Sequence, residues 1–250
     1  MSEMTFYDLK EKSGLTHSLC SQVANEIGRQ IVTGRYAPGS LVDDEGALSE
    51  GFQVSRTVIR DAVKILVGKG LLEVRRGIGT RVRQRSNWGL LDDDVLAWQL
   101  SAPPDLTSLM QLLEVREVFE PQAARWAADR GFSEDIEQIG NAVDSMDAEV
   151  DNAEQFVMAD ARFHRAVLHA AQNEFLSALE GVIYSTLLSS IRLTNPDPSA
   201  NAQSVPFHRR VYEAILVKDS NEAESSMRLL LADSSHRIRS MKSGPCGQIG

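Results

Sequence analysis

The run over residues 55–82, SRTVIRDAVKILVGKGLLEVRRGIGTRV, leaves a chain few ways to fold. Ser55 is an N-cap residue type, and Ile59, Ala62, Val63 and Leu66 repeat behind it at helical spacing, so a helix with one buried stripe starts there. Gly68 and Gly70 end that helix. The residues that follow alternate about a Gly77/Gly79 turn, the form of a β-hairpin. Upstream, Leu19, Val23, Ile27 and Ile31 predict a helix over 17–33 closed by Gly34, and a short helix over 45–52 follows the turn YAPGS. Three helices and then a hairpin make a winged helix-turn-helix.

The stripe leaves Arg56, Arg60 and Lys64 in a row along the outer side of the third helix. Residues 56–85 hold nine basic and two acidic side chains, although the whole chain carries a net charge of −9. The overall charge excludes indiscriminate nucleic-acid binding, and the local excess marks a footprint for it. A helix N-terminus flanked by cations suits phosphate, and a helix fits the major groove of double-stranded DNA, with Arg76 on the wing beside it. A solvated basic face is the plainer alternative.

Residues 86–250 hold 13 basic against 25 acidic side chains, so the chain divides in charge near residue 85. Beyond the polar RQRSN stretch, helical patterns recur over 93–100, 105–129, 133–150, 153–171, 174–193, 206–217 and 221–241. The longest break is expected over 194–206, and the tail after Lys242 is expected to be disordered. No strand pattern or fixed-period repeat interrupts these helices. The fold class is therefore mainly α: a DNA-binding winged helix-turn-helix over 1–85, an all-α bundle over 86–242, and a tail over 243–250. No apolar run approaches a membrane span, no secretory signal precedes the first helix, and Cys20 and Cys246 are isolated, so a cytoplasmic protein is expected.

Within the bundle, Asp160 and His164 stand four residues apart on a helical row shared with Val157, Leu168 and Ala171. Both face the apolar interior, where a lone carboxylate costs several kcal/mol, on the order estimated for buried charges, unless it finds a partner. Their spacing lets them share a metal ion, and His208 in PFHRRVYEAI offers a third donor from another inward face. A buried His–Asp hydrogen bond explains the same pattern. Arg116 is a further inward charge, in the stripe Leu109, Leu112, Leu113, Arg116, Phe119. It can grip a ligand carboxylate or pair with Glu120 or Asp160.

YAPGSLVDDEGALSEGFQVSRTVIRDAVKILVGKGLLEVRRGIGTRV resembles the DNA-binding domain of the GntR superfamily. That resemblance implies DNA contacts by Arg56, Thr57 and Arg60 from the helix and by Arg76 and Gly77 from the wing, with Gly46 replacing an arginine usual in helix two. DARFHRAVLHAAQN and FHRRVYEAI resemble the FCD effector domain of the FadR-like branch, which implies a divalent ion such as zinc, nickel or manganese above a small-molecule pocket. Asp160, His164 and His208 match three of that domain's ligands; the fourth, usually histidine, falls at Leu230, and His236 is about 240° further round the helix. With NWGLLDDDVLAWQL, the missing histidine resembles repressors of sugar-acid catabolism, which implies an aldonate effector such as galactonate.

Reading a palindromic operator requires two recognition helices about one DNA turn apart, so a homodimer is expected. The competing function is a metal-dependent hydrolase built on Asp160, His164 and His208. Such an enzyme needs a general base beside metal-bound water, and no HExxH-type motif supplies one.

Overall fold

The computed structural model describes residues 18–100, 102–103, 105–194 and 198–242, with backbone alone at 191–194, 198–200 and 240–242. The chain forms two compact units that divide between Pro103 and Pro104.

The first unit opens with α1 (Leu19–Val32), capped by Ser18, whose hydroxyl accepts from the Ser21 N–H at 3.3 Å. α2 (Glu45–Phe52) starts at Asp44, whose carboxylate accepts from the N–H groups of Gly46 and Ala47. α3 (Arg56–Gly68) is capped by Ser55 and buries Ile59, Ala62, Val63 and Leu66, the stripe expected from its spacing. β1 (Leu72–Arg75) pairs antiparallel with β2 (Gly79–Val82) in the register Leu72↔Val82 to Arg75↔Gly79, and Leu41 adds a single bridge to Arg81.

This unit runs past the expected boundary at 85. A short 3-10 turn (Arg85–Asn87) leads to α4 (Asp93–Leu100), and Trp88, Val95 and Trp98 join the core formed by α1, α3 and the hairpin. RQRSN is polar enough to look like a linker, but the tryptophans behind it need a core, and this one is adjacent. The Trp98 ring fills the space over Gly28, where an added Cβ would lie 2.4 Å from it. Trp88 Nε1 donates to the Arg83 carbonyl at 3.0 Å, and Lys69 Nζ lies 2.7 Å from both Asp92 Oδ1 and Asp94 Oδ2. Gly70 sits at φ +78°, and a Cβ there would meet the Asn87 carbonyl at 2.2 Å, so only glycine fits between α3 and this segment.

The second unit is all helix among its described residues: α5 (Leu106–Arg130), α6 (Ser133–Ala148), α7 (Ala153–Ala170), α8 (Glu174–Ser177), α9 (Glu180–Thr194), α10 (Pro198–Leu216) and α11 (Ser220–Lys242). α5 packs on α11, α7 and α9, and α10 packs on α6, α7 and α11, which brings the inward rows of α5, α7 and α10 together.

Two expectations are corrected here. The break at 194–206 is mostly helix, because Pro198 takes the first position of α10, where its missing N–H costs nothing, and Pro206 is carried inside the helix. The single helix over 174–193 is two, α8 and α9, with turn-type hydrogen bonds at Leu179 and Val182. Residues 195–197 and the tail 243–250 lie outside the described residues. No helix among the described residues is long and apolar enough to cross a membrane.

Candidate functional site

Arg56, Thr57, Arg60 and Lys64 are all exposed on α3, and Arg76 and Gly77 are exposed at the hairpin turn, where Gly77 has φ +76°. The basic row is thus on the surface, but it is not bare. Arg60 Nε donates to Glu45 Oε2 at 2.8 Å, and Lys64 Nζ to Asp61 Oδ1 at 2.9 Å. Glu45 is a residue that helical periodicity does not single out, since its partner lies on a different helix.

The buried centre is built from α7, α10 and α5. Asp160 and His164 are one turn apart on α7, and His208 comes from α10. Asp160 Oδ1 lies 3.2 Å from His164 Nε2 and 3.2 Å from His208 Nε2, and one donor atom from each residue lies within 4.8 Å of the others. Among the described residues this is the one such cluster. Phe163 meets both rings edge-on, at centroid distances of 5.1 and 4.8 Å, and closes one side of the centre.

The far nitrogens of both imidazoles are backed by acceptors. His208 Nδ1 lies 2.9 Å from the Ser204 carbonyl, and because a carbonyl can only accept, that nitrogen carries the proton. In the neutral ring Nε2 is then a bare lone pair aimed at Asp160. His164 Nδ1 lies 2.6 Å from Glu120 Oε2, an ion-pair distance, although it is not aligned as a hydrogen bond. Two imidazoles whose inner nitrogens converge on a carboxylate oxygen are a donor set of the kind that suits a divalent metal. Without an ion, lone pairs and carboxylate repel unless a proton stands between them, so these residues fit the metal.

Arg116 and Glu120 complete the buried group. The Arg116 guanidinium pairs with the Glu120 carboxylate through Nε and Nη2, with side chains 3% and 1% exposed. Arg116 therefore does not hold its charge free for a ligand, and of the partners open to it in the sequence, Glu120 is the one it takes. Burial pushes the Glu120 carboxyl up, but the charges of Arg116 and His164 outweigh this and hold it at about 2. Burial likewise opposes ionisation of Asp160, and the two imidazoles hold its carboxyl well below the usual range. Burial pushes His164 down, yet Glu120 and Asp160 leave it raised overall. The sequence carried a signal for Glu120, four residues after Arg116 on one row. It carried none for Ser204, which acts through its backbone.

Leu230 is buried on α11 and cannot ligate, while His236 is exposed and faces away from the interior. Among the described residues the centre thus has three side-chain donors.

Residues 19–82 match the family described as bacterial regulatory proteins, gntR family, and residues 111–233 match the FCD domain. The chain is 35% identical over 226 residues to the galactonate operon transcriptional repressor of Escherichia coli K12, covering 90% of this chain and 99% of that one. It is 32% identical over 208 residues to the HTH-type transcriptional regulator LutR of Bacillus subtilis 168, covering 79% and 90%. In fold it is similar to Lar, described as controlling expression of the Listeria monocytogenes agr system, with a TM-score of 0.64, 18% identity and coverage of 91% and 100%. The two sequence relatives are transcription regulators, and the hydrolase alternative finds no counterpart in them.

Proposed function

This chain belongs to the GntR family of transcription regulators and carries an FCD domain, and we propose on that footing that it represses a carboxylate-catabolic operon from which a small hydroxy-carboxylate releases it. The repressor role and the choice of an aldonate such as galactonate are supported by the similarity to a repressor of a galactonate operon along 90% of the chain. The DNA is read by Arg56, Thr57, Arg60 and Lys64 of α3 and touched by Arg76 and Gly77 of the wing. The protein acts as a homodimer, as a palindromic operator requires.

The observation that carries the effector reading is the convergence of Asp160, His164 and His208 beside a neutralised Arg116–Glu120 pair. Asp160, His164 and His208 would hold a divalent ion such as zinc, nickel or manganese, which supplies a Lewis-acid charge for anion binding. With a divalent ion bound and both imidazoles neutral, two carboxylates, one guanidinium and the ion sum to a net positive charge. Arg116 serves the effector by cancelling Glu120, so an incoming carboxylate is drawn to the centre and not repelled by a buried acid.

The test is metal content with thermal melting. Protein purified without chelator is expected to carry one divalent ion per chain, and His164→Ala to lose it. Galactonate is expected to raise the melting temperature of the loaded wild type alone. Absence of metal after purification and on titration would overturn the metal centre, and an aldonate shift that survives chelation would detach the effector from it.

A further inference from the structure

α3 does not present its arginines unaided. Glu45, the first residue of α2, reaches across to Arg60 and accepts from Nε at 2.8 Å, which leaves the guanidinium's two terminal nitrogens available for another partner. Beside it, Gly46 contributes no side chain. A Cβ there would lie 3.4 Å from Arg56 Nη2 and 3.0 Å from Asp44 Oδ1, so Arg56 extends over the start of the same helix. The first turn of α2 is the floor on which both arginines rest.

A carboxylate on a phosphate-facing surface weakens binding to any DNA, since affinity for the backbone scales with the cationic contacts made. A surface built for affinity alone gains nothing from Glu45. A surface built for discrimination gains in two ways. Holding the guanidinium removes rotamer freedom that base binding must otherwise freeze, and repulsion of phosphate penalises complexes in which no base contact compensates.

We propose that Glu45 is a positioning residue for base recognition, which fixes Arg60 toward a base edge and lowers affinity for non-specific DNA. The proposal rests on α3 being the DNA-reading helix. It goes beyond that reading by assigning part of the selectivity of Arg60 to a residue of α2.

Duplexes selected by the full-length chain from a random-sequence pool supply a specific probe, and a scrambled duplex of equal length and composition supplies a non-specific one. Affinities of the wild type, Glu45→Ala, Glu45→Gln and Arg60→Ala are measured on both probes, and on selected duplexes substituted one base pair at a time. Glu45→Ala is expected to bind scrambled DNA more tightly and to lose about tenfold in discrimination at the base pair where Arg60→Ala loses it, the scale of one bidentate base contact. Glu45→Gln keeps an acceptor for Arg60 Nε and is expected to retain more of that base preference. If Glu45→Ala tightens both probes equally with every base preference intact, the residue is only a charge and the proposal is overturned. If Arg60→Ala leaves selected-duplex affinity and preference unchanged, the reading of α3 fails as well, a result distinct from the first.

Discussion

Glu120 is 1% exposed and lies against two basic groups, Arg116 on its own helix and His164 on α7. A carboxylate in that position is tolerable because it is paired. Arg116→Ala is therefore expected to cost about 3–5 kcal/mol in urea unfolding, the usual penalty for stranding one member of a buried ion pair, and Arg116→Ala/Glu120→Ala is expected to recover part of it. If the single and double variants lose the same stability, the pairing contributes nothing. The same residues show how far the sequence could be read at this scale. Asp160 and His164 were legible because a four-residue spacing on an apolar row puts both inside. The partner of Arg116 was not, since an inward arginine looks the same on the row whether it grips Glu120, Asp160 or a ligand. Only the packing of α5 on α7 decides between them.

At the scale of elements, α3 depends on what holds its two ends. Its exposed side carries the basic row proposed to face DNA, and Arg56→Ala is expected to weaken binding to selected duplexes by roughly 1–3 kcal/mol, with Lys64→Ala lowering the salt dependence by about one unit. Gel-shift titrations at two salt concentrations check both; an unchanged affinity for each removes α3 from the interface. Its C-cap, Lys69, is clamped to Asp92, just ahead of α4, and to Asp94 in the first turn of α4. Burial pushes the Lys69 ammonium down, and its two carboxylates more than offset this, so its folded value is raised. A raised basic group stabilises fully below its unfolded value near 10.4, and that contribution is lost as pH climbs through the folded one. The stability gap between wild type and Lys69→Met is thus expected to be larger at pH 8 than above pH 11, and a gap that does not shrink refutes the clamp. Gly28 tests the other contact of α4: Gly28→Val drives its side chain into the Trp98 ring and is expected to cost about 1–3 kcal/mol. The helices and hairpin of this unit were legible in caps and periodicity. The helical course of 198–206 was not, because two prolines are a stop signal in sequence, and only the surrounding bundle makes it worth carrying Pro206 within a helix.

At the scale of the molecule, the chain is asymmetric in charge: a basic stretch lies in the part that matches the DNA-binding family, and residues 86–250 are acidic. The two-part organisation was visible in that asymmetry. The division at Pro103 was not, because membership of a core depends on where Trp88 and Trp98 pack and not on the polarity of the residues before them. For ligand to release DNA, the carboxylate must favour one arrangement of a dimer over another, since equal affinity for both shifts nothing. The coupling expected is about 1–3 kcal/mol, or roughly five- to 150-fold in operator affinity. The most direct test is to titrate galactonate into the complex of the full-length chain with a selected duplex, with the protein metal-loaded, chelator-stripped, or carrying His164→Ala. Release from the loaded wild type alone is the predicted result, and equal release from all three would contradict the account.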